Sequence, residues 1–365
     1  MEKEQFMSKT LKASICYMFA LLAFVVIRII SSYGVFKSFY GFTGDLIVTL
    51  IMQLTCLVLL PLCIYRLFSS EDTSVMLSDF GYRKISKKTF MYCILLGIIA
   101  FIINVGVSSV WNIFLYLAGY SSRGSGSSLQ YKSIIDLIVS LISTAFLPAM
   151  CEEFLHRGLF QSMVAKEKGF ISAILTGILF GLYHLNIYQT GYAAVLGIVM
   201  GLIAYYSKSI WPAVIMHFMN NAINVFLSYF SSIFPKIDTM FENIFALLTG
   251  NSTMLLISTI ILGIIYMLLI YWGFIIFTKV LKEEIFKTSD ISSTDIAGAI
   301  INTDYSVLKI KDENIKNRLL DAKISLKETY KTEKTRLEFK DYIVLITVIF
   351  LSLLITIFTF IWGIM

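Results

Sequence analysis

Two adjacent carboxylates, a histidine and an arginine lie together in the otherwise apolar stretch 148–160, which reads Pro-Ala-Met-Cys-Glu-Glu-Phe-Leu-His-Arg-Gly-Leu-Phe. Ionisable groups are costly in a hydrocarbon-like environment, and within apolar runs they mark functional sites by default. Residues four apart share a helix face, so Glu153 and Arg157 are spaced for an ion pair. Adjacent residues diverge by about 100°, which leaves Glu152 free to face a polar cavity as a general base.

Two further histidines, His184 and His217, also lie in apolar runs. Asn221 follows His217 by four residues, which places both side chains on one helix face. Imidazole and amide N–H groups can donate hydrogen bonds to a developing oxyanion. We therefore expect the chain to bring Glu152, His184 and His217 together, with Asn221 beside them.

The elements that position these groups are predicted to be transmembrane helices. Of the 365 residues, 57% are hydrophobic and only 15% are charged, against roughly 25% charged residues in soluble domains. Several apolar runs reach the roughly 20 residues that a helix needs to cross the hydrocarbon core. The predicted fold class is all-α, a polytopic transmembrane helical bundle of about 8–9 spans. The net charge of +6 is too modest to indicate nucleic-acid binding.

Nine apolar runs are candidates for these spans. They lie near residues 14–33, 45–65, 91–117, 134–162, 170–187, 190–206, 210–233, 254–279 and 342–364. The Lys and Arg content of the intervening loops favours a cytoplasmic N-terminus. We predict an integral, multi-pass protein of the plasma membrane in this orientation. Within the bundle, Gly177-x-x-x-Gly181 and Gly197-x-x-x-Gly201 are small-residue spacings that permit close helix approach.

The runs and loops divide the chain into five predicted segments. Between residues 281 and 340, charges of both signs alternate densely and apolar residues recur in a partly helical pattern. This pattern predicts a charged cytoplasmic helical insert, which fits either a solvated, salt-bridged helix or a module that docks a partner. The segments are 1–130 (N-terminal spans and loops), 131–233 (catalytic core), 234–280 (a further span), 281–340 (the insert) and 341–365 (the last span).

The polar groups form three motifs in a fixed order. The sequence Glu152-Glu153-Phe154-Leu155-His156-Arg157 matches EExxxR, Phe180-Gly181-Leu182-Tyr183-His184 matches FxxxH, and His217-Phe218-Met219-Asn220-Asn221 matches HxxxN. With these motifs the chain resembles the CPBP family of intramembrane proteases, which comprises CAAX proteases and bacteriocin-processing enzymes and is also called the Abi family. The resemblance covers about residues 130–230, and it says nothing of the first span, the insert or the last span.

The resemblance implies hydrolysis of peptide bonds inside the membrane. Glu152 would activate a water molecule that His184 helps to hold, and His217 with Asn221 would stabilise the tetrahedral oxyanion.

The resemblance also bears on the site's surroundings and on the partners. Glu153 and Arg157 would shape the site. The implied substrates are lipidated or membrane-bound peptides and proteins, such as prenylated C-terminal tails and bacteriocin or pheromone precursors. The expected partners are thus membrane lipid and such a substrate, without nucleic acid.

Family members have been described both as metalloproteases and as metal-free glutamate-dependent enzymes. We favour the metal-free mechanism, with no cofactor. The alternative is zinc, for which Glu152, His184 and His217 would supply three ligands and leave a fourth position for water. That alternative also uses up the general base, and the sequence contains no HExxH motif. His156 occupies a variable motif position and is expected to line the cavity or pack rather than to bind a metal.

Two other functions could use the same features. A non-catalytic membrane regulator or scaffold would keep the fold and bind a partner through the insert at 281–340. A proton- or ion-coupled transporter could use the buried carboxylates and histidines, but the inverted repeats common in transporters are not evident.

Overall fold

The computed structural model describes residues 8–33, 42–120, 130–287 and 339–364, and all regular structure within these ranges is helical. In chain order the elements are α1 (Lys9–Ser32), α2 (Phe42–Met52), π1 (Gln53–Leu59), α3 (Leu60–Phe68), α4 (Thr73–Asp79), α5 (Lys87–Leu117), α6 (Ile134–Ser140), π2 (Leu141–Phe146), α7 (Leu147–Glu153), π3 (Phe154–Gln161), α8 (Ser162–Lys168), α9 (Ile171–Tyr183), α10 (Ile187–Ser207), α11 (Trp211–Ile233), α12 (Pro235–Thr249), α13 (Ser252–Lys287) and α14 (Phe339–Ile364).

The fold class predicted from composition is confirmed. Seven helical stretches are long and apolar enough to cross a membrane: Lys9–Ser31, Leu46–Phe68, Lys87–Leu117, Ile134–Lys166, Ile187–Ser207, Leu256–Glu283 and Tyr342–Ile361. The two remaining predicted spans are the apolar but shorter α9, of 13 residues, and α11, of 23 residues. Histidine and asparagine side chains make α11 more polar than the other spans.

Two of the spans contain π-helical segments. π1 interrupts the second span, and π2 and π3 interrupt the fourth. Pro61 and Pro148 each lie at the second residue of the α-helix that follows π1 or π2. A proline lacks an N–H and clashes with the carbonyl four residues earlier, so a wider turn before it accommodates the ring. π segments of this kind are frequent at functional sites.

α9 and α10 pack closely through their glycines. A Cβ atom on Gly177 would lie 2.4 Å from the Ile198 nitrogen, and one on Gly197 would lie 2.9 Å from the Gly177 carbonyl oxygen. Backbone-to-backbone contact of this kind is what small-residue spacings allow in membrane helices. The close packing fixes α9, which carries Phe180 and leads into His184, against the helix that carries Gly197.

The segment between the second and third spans folds back onto the bundle. Met76 and Phe80 are buried, and the Gly81 carbonyl accepts a hydrogen bond of 3.0 Å from the Ile210 amide just before α11. The Tyr82 ring packs edge-on against Trp211, with ring centroids 5.9 Å apart. Burial raises the pKa of Tyr82 to about 12, so it stays a neutral phenol. This segment anchors the start of the helix that carries His217.

The charged insert lies mostly outside the described residues. α13 continues to Lys287 and α14 begins at Phe339, so residues 288–338 fall in the undescribed part. The proposed division of the chain into five segments stays a prediction.

Candidate active site

Glu153 and Arg157 form a buried ion pair across the junction of α7 and π3. Arg157 Nη1 donates to Glu153 Oε1 at 2.7 Å, and both side chains have 0% exposure. Arg157 Nη2 donates to the Gly197 carbonyl at 2.7 Å, and the guanidinium lies 4.7 Å from the centre of the Phe180 ring. The pair thus ties the fourth span to α9 and α10.

Glu153 also fixes the orientation of His217. Its Oε1 lies 2.9 Å from His217 Nδ1. A carboxylate can only accept, so Nδ1 carries the proton of this hydrogen bond. In the neutral imidazole Nε2 is then an acceptor, whereas in the imidazolium both nitrogens donate. The carboxylate therefore decides which nitrogen of His217 faces the rest of the site.

Glu152 is the more accessible of the two carboxylates, with a side-chain exposure of 18%. Gln53 Nε2, from π1, donates to Glu152 Oε1 at 3.0 Å. Glu152 Oε2 lies 3.9 Å from His217 Nε2, which is too long for a direct hydrogen bond. A separation of this size suits a bridging water molecule.

His184 lies at the end of α9, beside the same groups. Its Nδ1 is 2.9 Å from the Phe180 carbonyl oxygen, four residues back, so this nitrogen is the donor and Nε2 is left as an acceptor. The Phe180 ring packs edge-on against both imidazoles, with centroids 5.2 Å from His184 and 5.5 Å from His217. His184 is also close enough to Glu152 and His217 to interact electrostatically with both.

Asn221, four residues after His217 on α11, makes its described contacts with π2 and with the neighbouring Asn220. Its Nδ2 donates to the Thr144 carbonyl of π2 at 3.1 Å, and its Oδ1 accepts from Asn220 Nδ2 at 3.0 Å. Asn104 donates in turn to Asn220 Oδ1 at 3.3 Å. These contacts tie Asn221 into an amide network. They use only one of the two hydrogens on its Nδ2.

His156 packs within an aromatic cluster. It is 1% exposed, its Nδ1 lies 3.1 Å from the Tyr17 hydroxyl, and its ring packs edge-on against Tyr17, Phe180 and Tyr183. These contacts fit the packing role expected from its variable motif position.

The side chains do not form a ready-made metal site. Within the ranges that the structure describes, no group of three or more His, Cys, Asp or Glu side chains is arranged to hold a metal ion. The alternative set of Glu152, His184 and His217 is not among such groups in the described ranges, and we derive no step through a metal.

Sequence reasoning missed Gln53. A polar amide within the second apolar run was the available signal, since polar residues inside a membrane span are costly. Gln53 also lines a cavity of about 520 Å³ between α1 and α2, here called the α1–α2 groove, whose other lining residues are Phe24, Arg28, Ser31, Thr49 and Met52. The groove thus reaches Glu152 through Gln53.

Comparison with known proteins agrees with the three motifs. Residues 134–223 match the family model described as Rce1-like, type II CAAX prenyl endopeptidase Rce1-like. Neither the curated proteins nor the solved structures yield a match to the chain. The matched segment begins with α6, ends within α11 and contains Glu152, His184, His217 and Asn221. Residues 134–223 of this membrane protein therefore form a domain of the CPBP family of intramembrane endopeptidases.

Proposed function

We propose that the protein is a metal-free intramembrane endopeptidase in which Glu152 activates the attacking water. One observation carries this proposal: the two adjacent carboxylates have different surroundings. Glu153 is enclosed by Arg157 and His217, whereas Glu152 is partly exposed and its Oε2 faces His217 Nε2 across 3.9 Å. Only the second environment leaves room for a water molecule beside a carboxylate.

The first step is removal of a proton from that water. Glu152 Oε2 is the acceptor, and the hydroxide oxygen attacks the carbonyl carbon of the scissile bond. His184 Nε2, left as an acceptor by the bond from Nδ1 to Phe180, can hold the second hydrogen of the water. General-base assistance of this kind is worth about 10²–10⁴ in rate.

The tetrahedral oxyanion needs hydrogen-bond donors. Nε2 of His217 donates only in the imidazolium form, because Nδ1–H is already held by Glu153. The Glu153 carboxylate stabilises that cation. Asn221 can supply its second Nδ2 hydrogen while the first stays on the Thr144 carbonyl. Loss of one such donor typically costs about 10²–10³ in rate. Proton return from Glu152 to the amine then releases the product.

The proposed substrates are membrane-associated peptides. The name of the matched family points to prenylated C-terminal tails, and bacteriocin or pheromone precursors are the other class that the three motifs suggest. In keeping with the loop charges, we place the protein in the plasma membrane with its N-terminus in the cytoplasm.

The test is peptide cleavage by the purified protein in lipid vesicles. Farnesylated, geranylgeranylated and unmodified tail peptides are incubated with wild type and with Glu152→Gln, and the products are identified by mass spectrometry. The matched control is Asn224→Ala, because the Asn224 side chain donates to the Asn220 carbonyl within its own helix. We expect cleavage at one bond by wild type and the control, and none by Glu152→Gln. Wild-type cleavage by Glu152→Gln would refute the catalytic assignment.

A further inference from the structure

We propose that the α1–α2 groove binds the substrate as an extended peptide, and that Gln53 joins this groove to the catalytic carboxylate. In this arrangement the Gln53 amide nitrogen positions Glu152, and its amide oxygen accepts a hydrogen bond from a backbone N–H of the substrate. The inference rests on the proposed peptidase function and deepens it, because it assigns the substrate-binding cleft.

The contact between Gln53 and Glu152 sets the direction of the amide. Gln53 is 8% exposed, and its Nε2 lies 3.0 Å from Glu152 Oε1. A carboxylate accepts hydrogen bonds, so the NH₂ end of the amide must face it. Gln53 Oε1 therefore points elsewhere. This bond holds Glu152 so that its other oxygen, Oε2, remains directed at His217.

The amide oxygen of Gln53 lacks a donor. Gln53 Oε1 is buried and has no hydrogen-bond partner among the residues that the structure describes. Buried polar atoms in native proteins are normally hydrogen-bonded. Because Gln53 itself lines the groove, an unpaired acceptor on this residue is suited to a ligand that carries an N–H group.

The groove has the size and composition for a peptide. Its volume of about 520 Å³ lies within the usual range for ligand pockets. Phe24 and Met52 give it apolar wall, while Ser31 and Thr49 give it hydroxyl groups. An extended peptide carries backbone N–H groups at regular intervals together with side chains for the apolar wall. A lipid acyl chain has no donor for the Gln53 oxygen.

The groove borders the catalytic groups at two points. Gln53 connects it to Glu152, and Arg28, another lining residue, donates from Nη1 to the His184 carbonyl at 3.3 Å. A peptide in the groove therefore runs alongside both the general base and the histidine proposed to hold the water. Continuity with the catalytic site favours the substrate as the occupant.

The π segment accounts for the direction of Gln53. Gln53 is the first residue of π1, and Pro61 follows this segment in α3. The extra residue in a π turn shifts the helix face by about 100°. In an uninterrupted α-helix Gln53 would therefore lie at a different angle to Ile64 and Tyr65, two of the buried residues of α3.

The first experiment measures kcat and KM separately in lipid vesicles. Gln53→Met keeps the side-chain length but removes both the donor and the acceptor. We expect kcat to fall about 10–10²-fold because Glu152 is no longer held in place. KM should rise about 3–10-fold because one hydrogen bond to the substrate is lost. The matched control is Thr55→Val, an exposed position of the same π segment, which should keep wild-type constants.

The second experiment locates the substrate N–H. Each amide of the peptide is replaced in turn by an ester, which removes one N–H. At one position the ester should raise KM for wild type by about 3–10-fold and have no further effect on Gln53→Met, because the two changes remove the same hydrogen bond. Equal effects on both proteins at every position would overturn the assignment.

A third measurement does not depend on cleavage or on the folding of Gln53→Met. A photoreactive residue at Thr49, inside the groove, should crosslink the peptide, whereas the same residue at Leu54, which is exposed and outside the lining, should not. Crosslinking at Thr49 without cleavage would refute the proposed peptidase function but support peptide binding in the groove. If wild type cleaves the peptide without crosslinking, and Gln53→Met keeps wild-type kcat and KM, the proposal that the groove binds substrate is refuted. The proposed peptidase function would still stand. Neither cleavage nor crosslinking would overturn both.

Discussion

The buried ion pair allows a quantitative prediction for Arg157→Met. This change leaves the Glu153 side chain without its arginine partner at a site with 0% exposure and also removes the donor to the Gly197 carbonyl. Removing one partner of a buried pair typically costs about 3–5 kcal/mol. The total stability of a folded domain is about 5–15 kcal/mol. Arg157→Met should therefore lose between about a fifth and all of the free energy of unfolding.

The adjacent carboxylate should behave differently. Glu152→Gln should cost less than about 1 kcal/mol, because the side chain at this position is partly exposed and the oxygen of the new amide could still accept from Gln53. The double variant Glu153→Gln/Arg157→Met removes both buried charges. It should be more stable than Arg157→Met alone, since the buried carboxylate that lost its arginine is removed as well.

The assay is thermal unfolding of the purified variants in detergent, followed by tryptophan fluorescence and checked by gel filtration. We expect a large drop in the midpoint for Arg157→Met, partial recovery in the double variant and nearly wild-type behaviour for Glu152→Gln. A wild-type midpoint for Arg157→Met would refute the reasoning, as would a double variant less stable than the single one.

Three further outcomes are expected. Gly177→Ala should disrupt folding, because its Cβ would meet the Ile198 backbone at 2.4 Å, whereas Gly263→Ala, with nothing within 4 Å, should be neutral or up to about 1 kcal/mol stabilising. The expression levels and unfolding midpoints of these two variants, compared with wild type, test this expectation. Cleavage should survive dialysis against a zinc chelator, and elemental analysis of the active protein should find no stoichiometric metal; loss of activity that zinc restores would contradict the metal-free mechanism. Deleting residues 290–335 should leave the cleavage rate unchanged, whereas a regulator that works through this segment should lose its function.

The fold class follows from composition because long apolar runs leave the backbone no alternative to helices inside a bilayer. The exact number of spans does not follow as directly. α9 has only 13 residues, and α11 includes His217 and Asn221 among its apolar residues. In both helices, packing against neighbours decides the structure more than hydropathy does.

The π segments were partly readable from the sequence. Pro61 and Pro148 each lie two residues after one of them, and a proline inside an apolar run predicts a local distortion. No proline lies in α8, the helix that follows π3, so the wider turns of π3 could not be anticipated in this way. The position of π3 depends instead on the contacts that Arg157 makes with the neighbouring helices.

Local spacing accounts for part of the site. Four-residue spacing indicated the Glu153–Arg157 pair, since both residues lie on one helix. The approach of Gln53 to Glu152 joins positions 99 residues apart and depends on how π1 packs against α7. The bond between Asn221 and the Thr144 carbonyl likewise depends on a tertiary contact that single-sequence reasoning does not supply.

The most direct test of the central claim is the single-turnover rate constant for peptide-bond cleavage in lipid vesicles, compared between wild type and Glu152→Gln. Excess enzyme over substrate isolates the chemical step from product release. A decrease of at least about 10²-fold, with Glu152→Gln still folded and still binding the peptide, is the result we predict. A Glu152→Gln rate constant equal to that of wild type would show that another group activates the water.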